Sequence, residues 1–400
     1  MQIPTSIALS VLVRAVYAFV TSNKSVSTKL DTKPLQLQDG WPVASPGEAH
    51  LDARSLSDLT QWIEETYEYQ NTHAVLIEHA GHLVYELYLE GQDSRFDGST
   101  RNRLFSSLGN RVFNVNSLHD LASVSKSVTS LLLGIALRGD YERTLATPIT
   151  EYFKDQGITF GVGTEAVTLQ HVLTMTAGLE WDVTLPYSDP RNDNHKLFFM
   201  VENPIELVLG RRVTDPPGTV WNYNNGLTEL LGTIIEQKTG KRLDVFAAEA
   251  LFEPLGITNF EWVGPPSWQP KGRPSAAGGL RMRARDLAKI GSLSLHNGVW
   301  NNRQIVSPEW IQLSSQHHVN EVDRWSRGIY GYGFQWWPGR SNSIPTYRII
   351  AGFGSGGQQL LVVPERHLVV TVFAGNYNRH RQDLFNWVLG RIAMAHREHD

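Results

Sequence analysis

The stretch LASVSKSVTSLLLGIAL, residues 121–137, sets four serines around one lysine: Ser123, Ser125, Ser127 and Ser130 flank Lys126. Its second half is apolar all round, so a helix here is central and buried rather than amphipathic. On such a helix residues i and i+3 share a face, and Lys126 can reach the Ser123 hydroxyl. Ser123 falls in the first turn, where unpaired N–H groups and the dipole favour developing negative charge. A lysine there, partly desolvated, loses pKa and becomes a usable base. Ser125 and Ser127 point about 100° away from Lys126 around the helix. Ser130, at i+4, lies a turn deeper among leucines and reads as a packing residue bonded to its own helix backbone. Ser-x-x-Lys by itself is cheap, with roughly one chance match expected in a chain of this length. What surrounds it decides its meaning.

Working outward, PPGTVWNYNNGLTELLG (216–232) turns at Pro-Pro-Gly and runs Tyr223-Asn224-Asn225 straight into a helical pattern. Tyr223 there suits a phenolate base or a proton shuttle, and Asn225 suits a substrate carbonyl. A plain turn with an Asn N-cap is the alternative. Tyr69-Gln70-Asn71 has the same spacing and reads as chance. In AGFGSGGQQLLVVP (351–364), glycines before a buried strand allow a ligand to approach the backbone closely. Amides there can complete an oxyanion hole with the N–H of Ser123. In the loop LEWDVTLPYSDPRNDNHKLFF (179–199), Tyr187 is placed to touch a substrate amide and Trp181 to wall the pocket; both equally suit packing.

The rest of the chain gives the frame. HAVLIEH (73–79) and HLVYELYLE (82–90), joined by Ala80-Gly81, read as a β-hairpin. A Gly/Ser/Asn-rich loop separates them from the central helix. Helical patterns cover 51–70, several segments between 145 and 275, residues 285–298, and RQDLFNWVLGRIAMA at 381–395. Strands are expected at 332–337, 346–351, 358–364 and 367–374. Strands at both ends with helices between point to one sheet built from both termini plus a helical insertion. The expected boundaries are 1–50 for a signal-like segment and linker, 51–145 with 276–400 for a discontinuous α/β sheet domain, and 146–275 for a helical subdomain.

Composition narrows the chemistry. Net charge is −4 over 400 residues without a basic stripe, which argues against nucleic acid. The chain has 0 cysteines, which removes disulfides, thiol nucleophiles and Cys-ligated metals. The apolar run in MQIPTSIALSVLVRAVYAFVTSNKS is too short to span a membrane and Arg14 interrupts it. It reads either as a poor secretory signal, implying a periplasmic or secreted protein, or as a ragged terminus on a cytoplasmic one. DPRNDNH (189–195) fails the EF-hand pattern, and adjacent His317-His318 are badly spaced for one metal. Phe353 stands where a nucleophile elbow around Ser355 needs glycine, so an α/β-hydrolase is rejected.

Taken in order, the three polar groups resemble the penicillin-recognising serine hydrolases: serine β-lactamases, DD-peptidases and related esterases and 6-aminohexanoate-dimer hydrolases. LQHVLTMTAGLEW (169–181), AAGGLRMRARDLAKIG (276–291) and YGYGFQWW (330–337) add to the likeness, which covers about residues 60–395. It implies a β-lactamase/transpeptidase-like α/β (α+β) fold, an antiparallel sheet flanked by helices with a mostly helical subdomain. It further implies Ser123 as nucleophile, Lys126 as its base partner, Tyr223 as proton shuttle and Asn225 as a substrate contact. No cofactor or metal is implied, and the partner is a small-molecule ester or amide. The third motif departs: Gly354-Ser355-Gly356-Gly357-Gln358 replaces Lys/His-Thr-Gly, leaving Ser355 or Gly356 as the oxyanion donor. Losing that cation removes the partner for a β-lactam or stem-peptide carboxylate. It moves the expectation from β-lactamase or DD-peptidase work towards simple esters and amides. A catalytically silent binding module of the same fold is the rival from another class.

Overall fold

The computed structural model describes residues 32–66, 71–100, 103–320, 322, 329–341 and 346–377. The expected helix at 381–395, the signal-like N-terminus, and Tyr69 and Gln70 lie outside them. Asp52 caps helix α1 (Ala53–Glu65) by accepting from the Arg54 and Ser55 amides, and Leu56, Leu59 and Ile63 face inward. β1 (Thr72–His79) and β2 (His82–Tyr88) form the expected hairpin. Its two turn residues, Ala80 and Gly81, have φ of 49° and 83°, the primed turn that matches strand twist.

The chain then departs from expectation. Where a loop was read, β3 (Glu90–Thr100) and β4 (Arg103–Val112) form a second antiparallel ribbon. Its Gly, Ser, Asn and Asp content hides it, because those residues are poor strand formers. Phe96 meets Phe105 edge-on at 6.1 Å and Arg111 pairs with buried Asp93 at 3.2 Å across the ribbon. β5 (Leu118–Asp120) follows and leads to helix α2 (Ser125–Leu137). Helix α3 (Asn225–Thr239) begins at the Asn224 cap and stops at left-handed Gly240. β6 (Phe260–Trp262) and β7 (Leu280–Arg283) join β5 in a three-stranded sheet of order β5-β7-β6. Helix α4 (Ala284–Leu295) comes next.

β8 (Val299–Trp300) and β9 (Arg303–Gln304) make a small ribbon. The last strands are β10 (Trp337–Arg340), β11 (Arg348–Gly354), β12 (Gln358–Val363) and β13 (Leu368–Ala374). The main sheet is fully antiparallel with order β10-β11-β12-β13-β1-β2, so both chain ends build it. α4 packs directly on it: a Cβ at Gly291 would sit 2.5 Å from Val369 and 2.8 Å from Leu360. The expected strand at 332–337 is instead an irregular bend, and only Trp337 joins β10. Gln335 is left-handed there (φ 64°), and a Cβ at Gly333 would lie 2.3 Å from the Ser314 carbonyl oxygen. Tyr332, Phe334 and Trp336 keep the period of two and are buried, while the bend brings the out-of-phase Trp337 into the core with them, which strict alternation along a strand would not do. The architecture is the β-lactamase/transpeptidase-like fold, a mixed α/β arrangement of antiparallel sheet and helices. Among the described residues no helix is long and apolar enough to cross a membrane.

Candidate active site

The Ser123 segment is set by strain and by glycines rather than by a plain helix start. Asp120, at the end of β5, accepts from the Ala122 and Phe96 amides, both at 2.9 Å. Burial raises its carboxyl to about 6 against those hydrogen bonds. Leu121 donates to the Leu280 carbonyl at 2.9 Å. Between these anchors Ala122 takes φ 46°, a left-handed conformation that L-residues avoid and that recurs at functional sites. Residues Ala122–Val124 then form a 3₁₀ turn, and the α-helix starts at Ser125. Ser123 therefore lies one residue-pair before α2, partly exposed, instead of in its first α-turn. β11 makes room for it: a Cβ at Gly354 would be 2.4 Å from the Leu121 carbonyl oxygen and 3.2 Å from Ala122 Cβ. One at Gly352 would be 3.2 Å from both Ser127 Oγ and Val124. The glycines thus let this strand edge touch the serine turn backbone to backbone.

Lys126 is buried with its Nζ 3.1 Å from Ser123 Oγ and 2.8 Å from the Ala277 carbonyl oxygen, to which it donates. Desolvation brings its pKa down to about 7. The Tyr223 ring faces it, with Nζ 5.1 Å from the centroid, and its hydroxyl is hydrogen-bonded to Ser123. Burial raises the Tyr223 phenol, so it carries its proton at neutral pH. The structure thus brings Ser123, Lys126 and Tyr223 within mutual reach. Tyr223 is placed there because Asn224 caps α3 and the preceding Asn222 is tied to the Trp181 carbonyl at 2.8 Å.

Asn225 opens α3 beside them. Its Nδ2 donates to Tyr187 Oη at 3.0 Å, and its buried Oδ1 has no partner among the described residues. Tyr187 Oη also accepts from Asn194 Nδ2 at 3.3 Å, and its phenol is raised by desolvation. Trp181 is buried behind this pair: its indole donates to Asn194 Oδ1 at 3.3 Å and its ring edge would lie 3.1 Å from a Cβ at Gly226. It stiffens the loop from behind. Ser355 is exposed, one residue beyond Gly354, in the turn between β11 and β12. Gly356 (φ 91°) follows it in the same turn, where a Cβ would be 2.7 Å from both Tyr377 and Gln358 Nε2. The DPRNDNH side chains are spent locally: Asp189 on Arg191, Asn192 as a helix cap, Asp193 on Lys196 and Arg211.

The other serines of the opening stretch are accounted for. Ser127 Oγ donates to the Gln335 carbonyl at 2.8 Å. The buried hydroxyls of Ser125 and Ser130 have no partner among the described residues, so Ser130 does not make the expected bond to its own helix backbone.

Several residues carry the site without having been singled out in the sequence. Ala277 receives the lysine. Glu229 is buried against the Ser275–Ala277 segment. Gln335 ties Thr228 of α3 to the Leu173 carbonyl, at 2.7 and 2.8 Å. An aromatic wall rises beside Tyr223: Trp221, Tyr332, Trp337 and Phe353, with neighbouring ring centroids 5.0–6.1 Å apart. Tyr332 Oη and Trp221 Nε1 in that wall are buried and unpartnered among the described residues. The quoted YGYGFQWW held the signal for part of it, but only as a likeness, because no spacing rule says which ring faces the serine.

This chain is similar to the 6-aminohexanoate-dimer hydrolase of Paenarthrobacter ureafaciens, with 25% identity over 351 residues, 82% of this chain and 78% of that one. Its fold is similar to that of a family VIII carboxylesterase, with a TM-score of 0.62 at 13% identity over 85% of this chain and 97% of the other. The octameric penicillin-binding protein homologue of Pyrococcus abyssi gives a TM-score of 0.61 at 19% identity, over 86% and 78% of the two chains. The β-lactamase family model matches residues 59–393, and the chain belongs to that family of hydrolases.

Proposed function

We propose that this protein hydrolyses small esters or amides through an acyl-enzyme on Ser123. The observation that carries the reading is the buried Lys126 amine 3.1 Å from Ser123 Oγ, desolvated to a pKa of about 7. Neutral Lys126 takes the Ser123 proton as Oγ attacks the substrate carbonyl. Tyr223, held as a phenol by burial, gives its proton to the leaving alcohol or amine and recovers one from Lys126. Water then attacks the acyl-enzyme, with the proton passing back along the same path. The amides of Ser123 and Ser355 form the oxyanion hole, a role supported by the close approach of Gly354 to the serine turn. Asn225 and Tyr187 address the substrate's polar group through the unpartnered Asn225 Oδ1 and the Tyr187 hydroxyl.

The aromatic wall and a third motif without Lys or Arg support an acyl group without a carboxylate over a carboxylate-bearing one. A panel of short p-nitrophenyl esters, linear aminohexanoate oligomers, nitrocefin and D-Ala-D-Ala peptides tests this against wild type and Ser123→Ala. Esters or oligomers should turn over only with Ser123 present. Retained hydrolysis in Ser123→Ala refutes the nucleophile, and nitrocefin outpacing the esters refutes the substrate class. Absence of fluorophosphonate labelling at Ser123 in wild type would favour a silent binding module.

A further inference from the structure

Glu229 lies on α3 one turn beyond Asn225, so the two share a helix face. It is fully buried, and the reaction as described above does not use it. Its partners are all donors: Ser275 Oγ at 2.5 Å, and the amides of Ala276 and Ala277 at 3.0 Å each. Amides cannot accept a proton, so this set fits an ionised carboxylate. The segment it grips also presents the Ala277 carbonyl to Lys126 at 2.8 Å and the Ala276 carbonyl to Thr129 Oγ1 at 2.8 Å. One carboxylate therefore holds the strip of backbone against which the lysine amine rests.

We propose, building on Lys126 as the base for Ser123, that Glu229 is a positioning residue that fixes the Ala277 carbonyl and places a buried negative charge beside the Lys126 amine. Lys126 is faced by Ser123 on its own segment, by the Tyr223 ring, and by Glu229 from α3. Burial raises the Glu229 carboxyl, and Ser275, Arg273 and the Ala276 and Ala277 amides act against that rise in favour of the charged form. Of the groups facing the lysine, Glu229 is the one that draws its pKa up, against the larger effect of burial. The charge makes the neutral amine a stronger base for the Ser123 proton and stabilises the ammonium that then returns it to Tyr223.

The test is the pH profile of Ser123 labelling by a fluorophosphonate in wild type, Glu229→Gln and Glu229→Asp. Only neutral Lys126 acts as base, so labelling falls below its pKa. Without the anion the amine deprotonates more easily, and the acid limb should move down by about one pH unit. At pH 6, relative to its own plateau, Glu229→Gln should label about fivefold faster than wild type. Glu229→Asp keeps the charge and should bring the limb back towards wild type. A merely structural role predicts a lower plateau with the limb unmoved, and that result overturns the proposal. Should Glu229→Gln not fold, Ser275→Ala removes one donor from the carboxylate. It should shift the limb the same way by less, and an unmoved limb there also overturns the proposal. A wild type that never labels refutes the nucleophile reading itself, whereas a labelled wild type with unmoved variants refutes only the role of Glu229.

Discussion

Glu78 in β1 is a carboxyl buried where no carboxylate belongs. Ser292 Oγ of α4 donates to its Oε1 at 2.9 Å, and Oε2 has no partner among the described residues. Ser292 Oγ also lies 3.4 Å from His296 Nδ1. Desolvation pushes the folded carboxyl up to about 8 from an ordinary 4.5. Between those values the folded state holds a proton that the unfolded chain has released. Stability is therefore fully present below about 4.5 and falls as pH rises towards 8. At about 1.36 kcal/mol per unit, the three units from pH 5 to pH 8 cost about 4 kcal/mol. Glu78→Gln keeps an acceptor for Ser292 and cannot ionise. The unfolding free energy of the variant should therefore gain on wild type by about 4 kcal/mol between pH 5 and pH 8. Guanidinium denaturation of both proteins at several pH values across that window measures the gap. Parallel curves, with a gap that does not open, would refute a proton held by Glu78 in the folded state.

Other perturbations address the site. Lys126→Ala should cut acylation by roughly 10²–10⁴-fold, read as a lost burst of p-nitrophenol. In wild type the same reading predicts that activity falls as pH drops below about 7, because the lysine is then protonated. A flat profile from pH 5 to 8 would remove Lys126 as the base. Gly354→Ala would drive a Cβ to 2.4 Å from the Leu121 carbonyl oxygen. It should cost about 1–3 kcal/mol and pull β11 off the serine turn. Thermal unfolding and ester turnover should fall together, and an unchanged turnover would show that the strand contact does not position Ser123.

The elements that the sequence announces are those where one local signal suffices. β1 and β2 alternate around a two-residue turn, and β12 and β13 are short runs of Leu and Val. α3 carries its own cap and stop. Local reading fails at the β3–β4 ribbon, whose residues are poor strand formers stabilised by pairs far apart in sequence. It fails again at the bend of 332–336, where packing on Ser314 overrides an apparent strand. The Ser123 to Lys126 spacing was legible because three residues of helix-like chain fix it. That the serine sits in a strained 3₁₀ turn before the helix was not, because the strain comes from Asp120 and from the Leu280 and Gly354 backbones.

The sequence alone therefore determined the helix that carries the lysine, the hairpin, the buried strands and the residue types available for chemistry. These follow from periodicity, turn chemistry and composition, all of which act within a few residues. The tertiary structure decided which of them meet. Tyr223 lies 97 residues past Lys126 in number and reaches Ser123 only because α3 packs against α2. The lysine's second partner is a carbonyl at 277, and its electrostatic counterweight is a carboxylate at 229. Desolvation, which moves the lysine to a pKa of about 7, is a property of the packed interior and of no stretch of chain taken alone.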